Sequence, residues 1–115
     1  MASGVKFLWV RGDTYEYTVY ITRGGAPLDI TGYRLVYKAV GATTITKDTA
    51  AGTITILPGT DGICTFSITS AETAAQTANK SPAMTHEMKC KSPLGVVKRV
   101  FEGTVSVDES LIGAL

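Results

Sequence analysis

Along most of the chain, apolar and polar side chains trade places at every second residue, the period of a strand with one buried face. In residues 14–22, Tyr15, Tyr17, Val19 and Ile21 fall on one side and Thr14, Glu16, Thr18 and Thr22 on the other. Arg23-Gly24-Gly25-Ala26-Pro27 ends this run, because the paired glycines admit positive φ and the proline lacks a ladder amide. Residues 33–40 form the next predicted strand, with Tyr33, Leu35, Tyr37 and Ala39 on one face and Arg34, Val36, Lys38 and Val40 on a partly exposed one. A short polar strand over 43–47 and an alternating stretch over 53–56 follow, as a hairpin or meander. After the turn residues 58–62, Cys64, Phe66 and Ile68 share a face in a strand over 63–69.

Residues 70–78 alone have helical character: Ser70 is a capping type, and Ala, Glu and Gln favour helix, enough for one or two turns. Strand period then returns, with Met84, His86, Met88 and Cys90 on the inward side of Thr85, Glu87, Lys89 and Lys91. A turn at 92–95 leads into a long last strand over 96–107, where Gly103 is expected to mark a bulge or bend. With a first strand over 5–10, the pattern predicts seven or eight short antiparallel strands and one helical turn. That is an all-β sandwich or barrel. It forms a single domain over 1–115, with a core over about 5–107 and an apolar C-terminal tail over 108–115.

Composition narrows the picture. The 115 residues carry 11 Lys and Arg against 10 Asp and Glu, so the electrostatic footprint of a nucleic-acid partner is missing. Hydrophobic residues at 44% and charged residues at 18% argue for a packed core rather than disorder. No apolar run reaches the ~20 residues that span a bilayer, and residues 7–10 are too short for a secretory leader. No membrane partner is expected. Cys64 and Cys90 are neither a C-x-x-C pair nor near a His cluster, and two buried free thiols are expected.

Catalytic chemistry finds little to use. His86, the lone histidine, stands between Met84 and Met88 on an inward face with no nucleophile motif nearby, and reads as a packed structural residue. One His and two distant Cys do not make a zinc site, and Asp48 and Asp61 lack the spacing of a calcium loop. Glu16, Glu87 and Glu102 each sit on the polar side of a strand rather than as a paired acid and base. The glycine-rich turns carry no phosphate-loop signature. Arg11-Gly12-Asp13 has a structural reading: Gly12 lets the chain bend and Asp13 bonds backbone as the next strand starts. No catalytic residue, cofactor or metal is expected.

The order of these signals carries a resemblance. Arg11-Gly12-Asp13-Thr14, an alternating aromatic strand, Gly25-Ala26-Pro27-Leu28-Asp29-Ile30-Thr31-Gly32 and then Tyr33 to Tyr37 resemble the start of small immunoglobulin-like domains of bacteriophage virion proteins. That family includes the N-terminal domains of baseplate upper proteins and related tail and tail-fibre components. Asp61-Gly62-Ile63 to Thr69, followed by Ser70-Ala71-Glu72-Thr73-Ala74, is similar to the family's next block. Relatives place a Gly-x-Tyr-x-Tyr-Asp strand after the helical turn, where this chain has Pro82-Ala83-Met84-Thr85-His86-Glu87. The resemblance, over about residues 8–107, implies an immunoglobulin-like sandwich. It also implies a non-enzymatic structural role in the virion (tail, baseplate or head surface), assembled in the bacterial host cytoplasm, with other virion proteins and copies of itself as partners. In the Leu28–Gly32 block, Leu28 and Ile30 are expected to anchor the loop while Asp29 and Thr31 satisfy turn amides.

Two segments are candidate interfaces. Phe7, Leu8 and Trp9 place large apolar groups on both faces of the first strand, and Leu111, Ile112 and Leu115 make the C-terminal tail apolar after Asp108-Glu109. The core of the domain is the competing place for both sets. The alternative function is a carbohydrate-binding or adhesive accessory module, in which exposed Tyr20, Tyr33 or Tyr37 would stack on sugar rings.

Overall fold

A computed structural model describes residues 2–112, the side chains of Ala2, Lys80 and Ser81 excepted. The strands are β1 (Ala2–Val10), β2 (Tyr15–Tyr20), β3 (Thr22–Arg23), β4 (Ala26–Pro27), β5 (Arg34–Val40), β6 (Ile45–Asp48), β7 (Ile54–Ile56), β8 (Ile63–Ile68), β9 (Asn79–Lys91) and β10 (Val97–Asp108). One short helix, α1 (Ser70–Ala74), precedes β9. A five-stranded sheet in the order β1-β10-β9-β5-β6 faces a three-stranded sheet in the order β2-β8-β7, and β3 and β4 form a separate small hairpin. The molecule is an all-β sandwich. The count exceeds the expected seven or eight because β3 and β4, two residues each, occupy the end of the strand predicted over 14–22 and the turn predicted after it.

The alternation decides which side chains fill the space between the sheets. Leu35, Tyr37 and Ala39 from β5, Phe66 and Ile68 from β8, and Met84, His86 and Met88 from β9 are buried. The Leu28–Gly32 loop behaves as its residues predict. Ile30 is fully buried and its amide donates to the Gly59 carbonyl, while Asp29 accepts from the Thr31 amide and hydroxyl at 3.0 and 2.6 Å.

Three expectations are corrected. Thr69, not Ser70, caps α1: its hydroxyl accepts from the Glu72 amide at 3.2 Å, and Glu72 accepts from the Thr69 amide at 2.9 Å. This reciprocal pair satisfies two end amides at once. Second, β10 shifts register against β9 twice, between Arg99 and Phe101 and between Val105 and Val107, while Gly103 itself stays in register opposite His86. Third, Tyr37 is fully buried, ringed by Phe66, His86 and Phe101, and has no face to offer a sugar.

Gly103 has another reason to be glycine. β1 pairs with β10 in parallel, with Val5 opposite Gly103 and Trp9 opposite Val107, although every other strand pair is antiparallel. A Cβ on Gly103 would overlap the Val5 carbonyl oxygen and stand 2.7 Å from the Val5 carbonyl carbon and nitrogen. The glycine lets β1 lie down against β10.

Candidate interaction surfaces

The first candidate segment sits where the two sheets meet along one side. β1 and β2 are edge strands of different sheets. The Trp9 indole N–H donates to the Tyr17 hydroxyl at 2.7 Å, and the Val10 amide donates to the Tyr15 hydroxyl at 2.8 Å. Phe7 stacks on Tyr17 with centroids 4.0 Å apart. Trp9 is fully buried and Phe7 half-buried within their own domain, while Leu8 on the opposite face is exposed. Burial pushes the Tyr17 phenol up to about 12, so it stays protonated as the partner of Trp9.

His86 ties this seam to the core. One ring nitrogen, Nε2, lies 2.7 Å from the Val5 carbonyl and the other, Nδ1, 2.9 Å from the Tyr37 hydroxyl. A carbonyl can only accept, so Nε2 carries the hydrogen and neutral Nδ1 accepts from Tyr37. Burial lowers the His86 pKa, with the Val5 bond and the nearby Glu102 charge acting against it. The ring is enclosed at 3% exposure and fastens β1. Cys64 and Cys90 are buried free thiols, and burial pushes Cys64 up to about 11. Among the described residues no three His, Cys, Asp or Glu side chains gather as a metal site, and no helix is long and apolar enough to cross a membrane.

At the end of the sandwich where β1 and β10 finish, α1 and the residues just after it hold two loops and strand β6. Thr73, fully buried, accepts from the Gly12 amide at 3.0 Å and donates to the Asp13 carbonyl at 2.8 Å, so Arg11-Gly12-Asp13 is a backbone turn locked to the helix. Gln76 bonds Thr43 through both ends of its amide. Lys47, only 7% exposed, reaches both Glu72 carboxylate oxygens at 2.8 and 2.9 Å. Burial alone would raise Glu72, but Lys47 and the Thr69 amide outweigh it and hold the carboxylate below its usual range. Alternation in a short polar strand gave no hint that Lys47 points inward. The Thr69-x-x-Glu72 capping box was the readable signal there.

The second candidate segment leaves from this end. Arg11 spans Glu109 at 2.9 Å and the Ala74 carbonyl at 2.8 Å, and beyond it Leu111 and Ile112 are exposed at 107% and 76%. Neither covers the sandwich; Leu115 lies outside the described residues. Asp13, Asp108 and Glu109 stand here against Arg11, which pairs with Glu109, so this end keeps a net negative charge.

The opposite end holds a groove that the sequence patterns did not single out. The β9–β10 turn and the β3–β4 hairpin flank an open cleft of about 870 Å³. Its apolar lining includes Tyr20, Leu28, Tyr33, Leu94, Val96 and Val100, and its charged lining is Arg23, Lys98 and Arg99. No carboxylate lines it among the described residues, although Arg99 also meets Glu87 at 2.6 Å on the adjoining sheet face. Leu94 is 94% exposed at the tip of a turn closed by the Gly95 amide donating to the Ser92 carbonyl. Leucine at a turn tip where polar residues are the rule was the available signal.

This sandwich matches a solved phage domain. The N-terminal domain of phage TP901-1 ORF48 superposes with a TM-score of 0.55 at 9% identity, over 94% of this chain and 99% of that one. The two share a fold. No protein-family profile matches the chain, and no curated protein matches it in sequence.

Proposed function

We propose that the protein is a non-enzymatic structural component of a bacteriophage particle, in the tail, baseplate or head surface, working through protein–protein contacts in a repeated assembly. The observation that carries this reading is the whole-domain likeness to the N-terminal domain of phage TP901-1 ORF48, covering nearly all of both chains. The immunoglobulin-like phage resemblance of the Arg11–Tyr37 and Asp61–Ala74 blocks points the same way. Polar groups inside the sandwich are spent on holding loops and strands, as with His86 on Val5 and Lys47 on Glu72, and the most exposed apolar side chains, Leu94, Leu111 and Ile112, stand at the two ends. The partners are other virion proteins and copies of this chain.

Quantitative mass spectrometry of gradient-purified particles tests the reading. The chain is expected at several copies per particle, in a fixed ratio to the other structural proteins. Recovery only in the soluble lysate, with none on particles, would overturn it. The accessory-module reading keeps Tyr20 and half-buried Tyr33 but loses Tyr37 to the core.

A further inference from the structure

Resting on that reading, we propose that copies of the chain join head to tail, the acidic, apolar C-terminal segment of one copy lying in the cationic groove of the next. The two ends are complementary in both charge and hydrophobicity. One carries Asp13, Asp108 and the Arg11-paired Glu109 beside exposed Leu111 and Ile112, and the other carries Arg23, Lys98 and the Glu87-paired Arg99 around Leu94, Val96 and Tyr20. The order of residues also fits. Glu109, 62% exposed even while paired with Arg11, precedes the leucine and isoleucine at 111–112, so a charged group meets the groove ahead of the apolar pair.

A chain cannot fill its own groove with these anchors. The groove lies at the start of β10 and the tail leaves from its end. From Arg99 to Asp108 the strand runs about 30 Å at ~3.3 Å per residue. Leu111 and Ile112 reach only about 10–14 Å past Asp108, even fully extended. In a body 45 Å long, the occupant is therefore a second copy. The contact joins two different patches, so it repeats as a ring or a filament rather than stopping at a symmetric pair.

Sedimentation velocity of the full chain over a concentration and salt series tests this with two variants at exposed positions, Leu94→Glu in the groove and Ile112→Asp on the tail. Trp9 emission serves as the check that each variant is folded. The wild type is expected to associate, less as salt rises, and each variant alone to associate at least tenfold more weakly. The decisive sample is the mixture. Ile112→Asp keeps a working groove and Leu94→Glu a working tail, so together they form a 1:1 pair that grows no further. A strictly monomeric wild type, variants that associate like the wild type, or a mixture that stays monomeric would each overturn the head-to-tail contact. None of these results removes the chain from the particle, which mass spectrometry reads separately.

Discussion

Replacing Gly103 by alanine tests whether β1 is held by a backbone approach that tolerates no side chain. Gly→Ala inside a strand ordinarily stabilises, by roughly 0.5–1 kcal/mol, so the sign of the effect is diagnostic. Here the new methyl group would overlap the Val5 carbonyl, and since backbone lies on both sides, β1 has to move away from β10. The move breaks the His86 Nε2–H to Val5 bond and leaves a buried N–H unpaired, which costs about 1–3 kcal/mol. Strained ladder bonds beside it bring the expected loss to about 2–4 kcal/mol. At roughly 4 °C per kcal/mol for a domain of this size, the midpoint of thermal unfolding should drop by about 8–16 °C. Trp9 is the chain's single tryptophan, buried on β1 and bonded to Tyr17, so its emission reports on this strand. Urea unfolding followed by Trp9 emission and by circular dichroism should show the loss in both signals, with a red shift of native Trp9. A variant as stable as the wild type with unshifted emission would refute the account of β1.

Other outcomes follow from the same contacts. The folded pKa of His86 lies below 6.5, so the unfolded chain takes the proton first; stability should be complete above pH 6.5 and fall as pH drops through the folded value. His86→Gln should flatten that part of a urea-midpoint series, before Asp48 and Glu72, both held below their usual range, begin to titrate. Lys47→Met should cost about 1–3 kcal/mol, less than a fully buried pair because Glu72 keeps solvent contact, and Glu72→Gln in the same background should cost less than in the wild type in a double-mutant cycle. Thr69→Ala should cost about 1 kcal/mol through loss of the cap, read by chemical denaturation. A thiol reagent at pH 8 should label neither buried cysteine at the rate of a free thiol, and should label both promptly in denaturant.

The inner faces of β2, β5, β8 and β9 were legible because a strand with one dry face has to alternate. Tyr37, Phe66 and Met88 all lie on the side that alternation assigns. The parallel partner of β1 was not legible, since period two says which face is buried and nothing about the neighbour or its direction. Gly103 was visible as an anomaly, but only the approach of Val5 shows its purpose. Lys47 was hidden because its charge argued for solvent, and Glu72 sits 25 residues away. Of the segments marked for contact, the C-terminal one offers Leu111 and Ile112 to solvent, and the N-terminal one keeps Trp9 inside. The groove was not legible because Tyr20, Leu28 and Leu94 come from three distant parts of the chain, and no local pattern joins them.

β10 lies between β1 and β9 in the larger sheet, and Val5 meets a partner 98 positions further along the chain. During synthesis the ribosome therefore releases the first strand long before its ladder partner exists, with only the β2 aromatics Tyr15 and Tyr17 close behind to meet Phe7 and Trp9. Closure is a single late event that joins the earliest and latest segments, the slow and aggregation-exposed kind of folding. A chain cut short before β10 has no place to put its first strand, so defective copies announce themselves by exposed aromatic surface instead of passing as native.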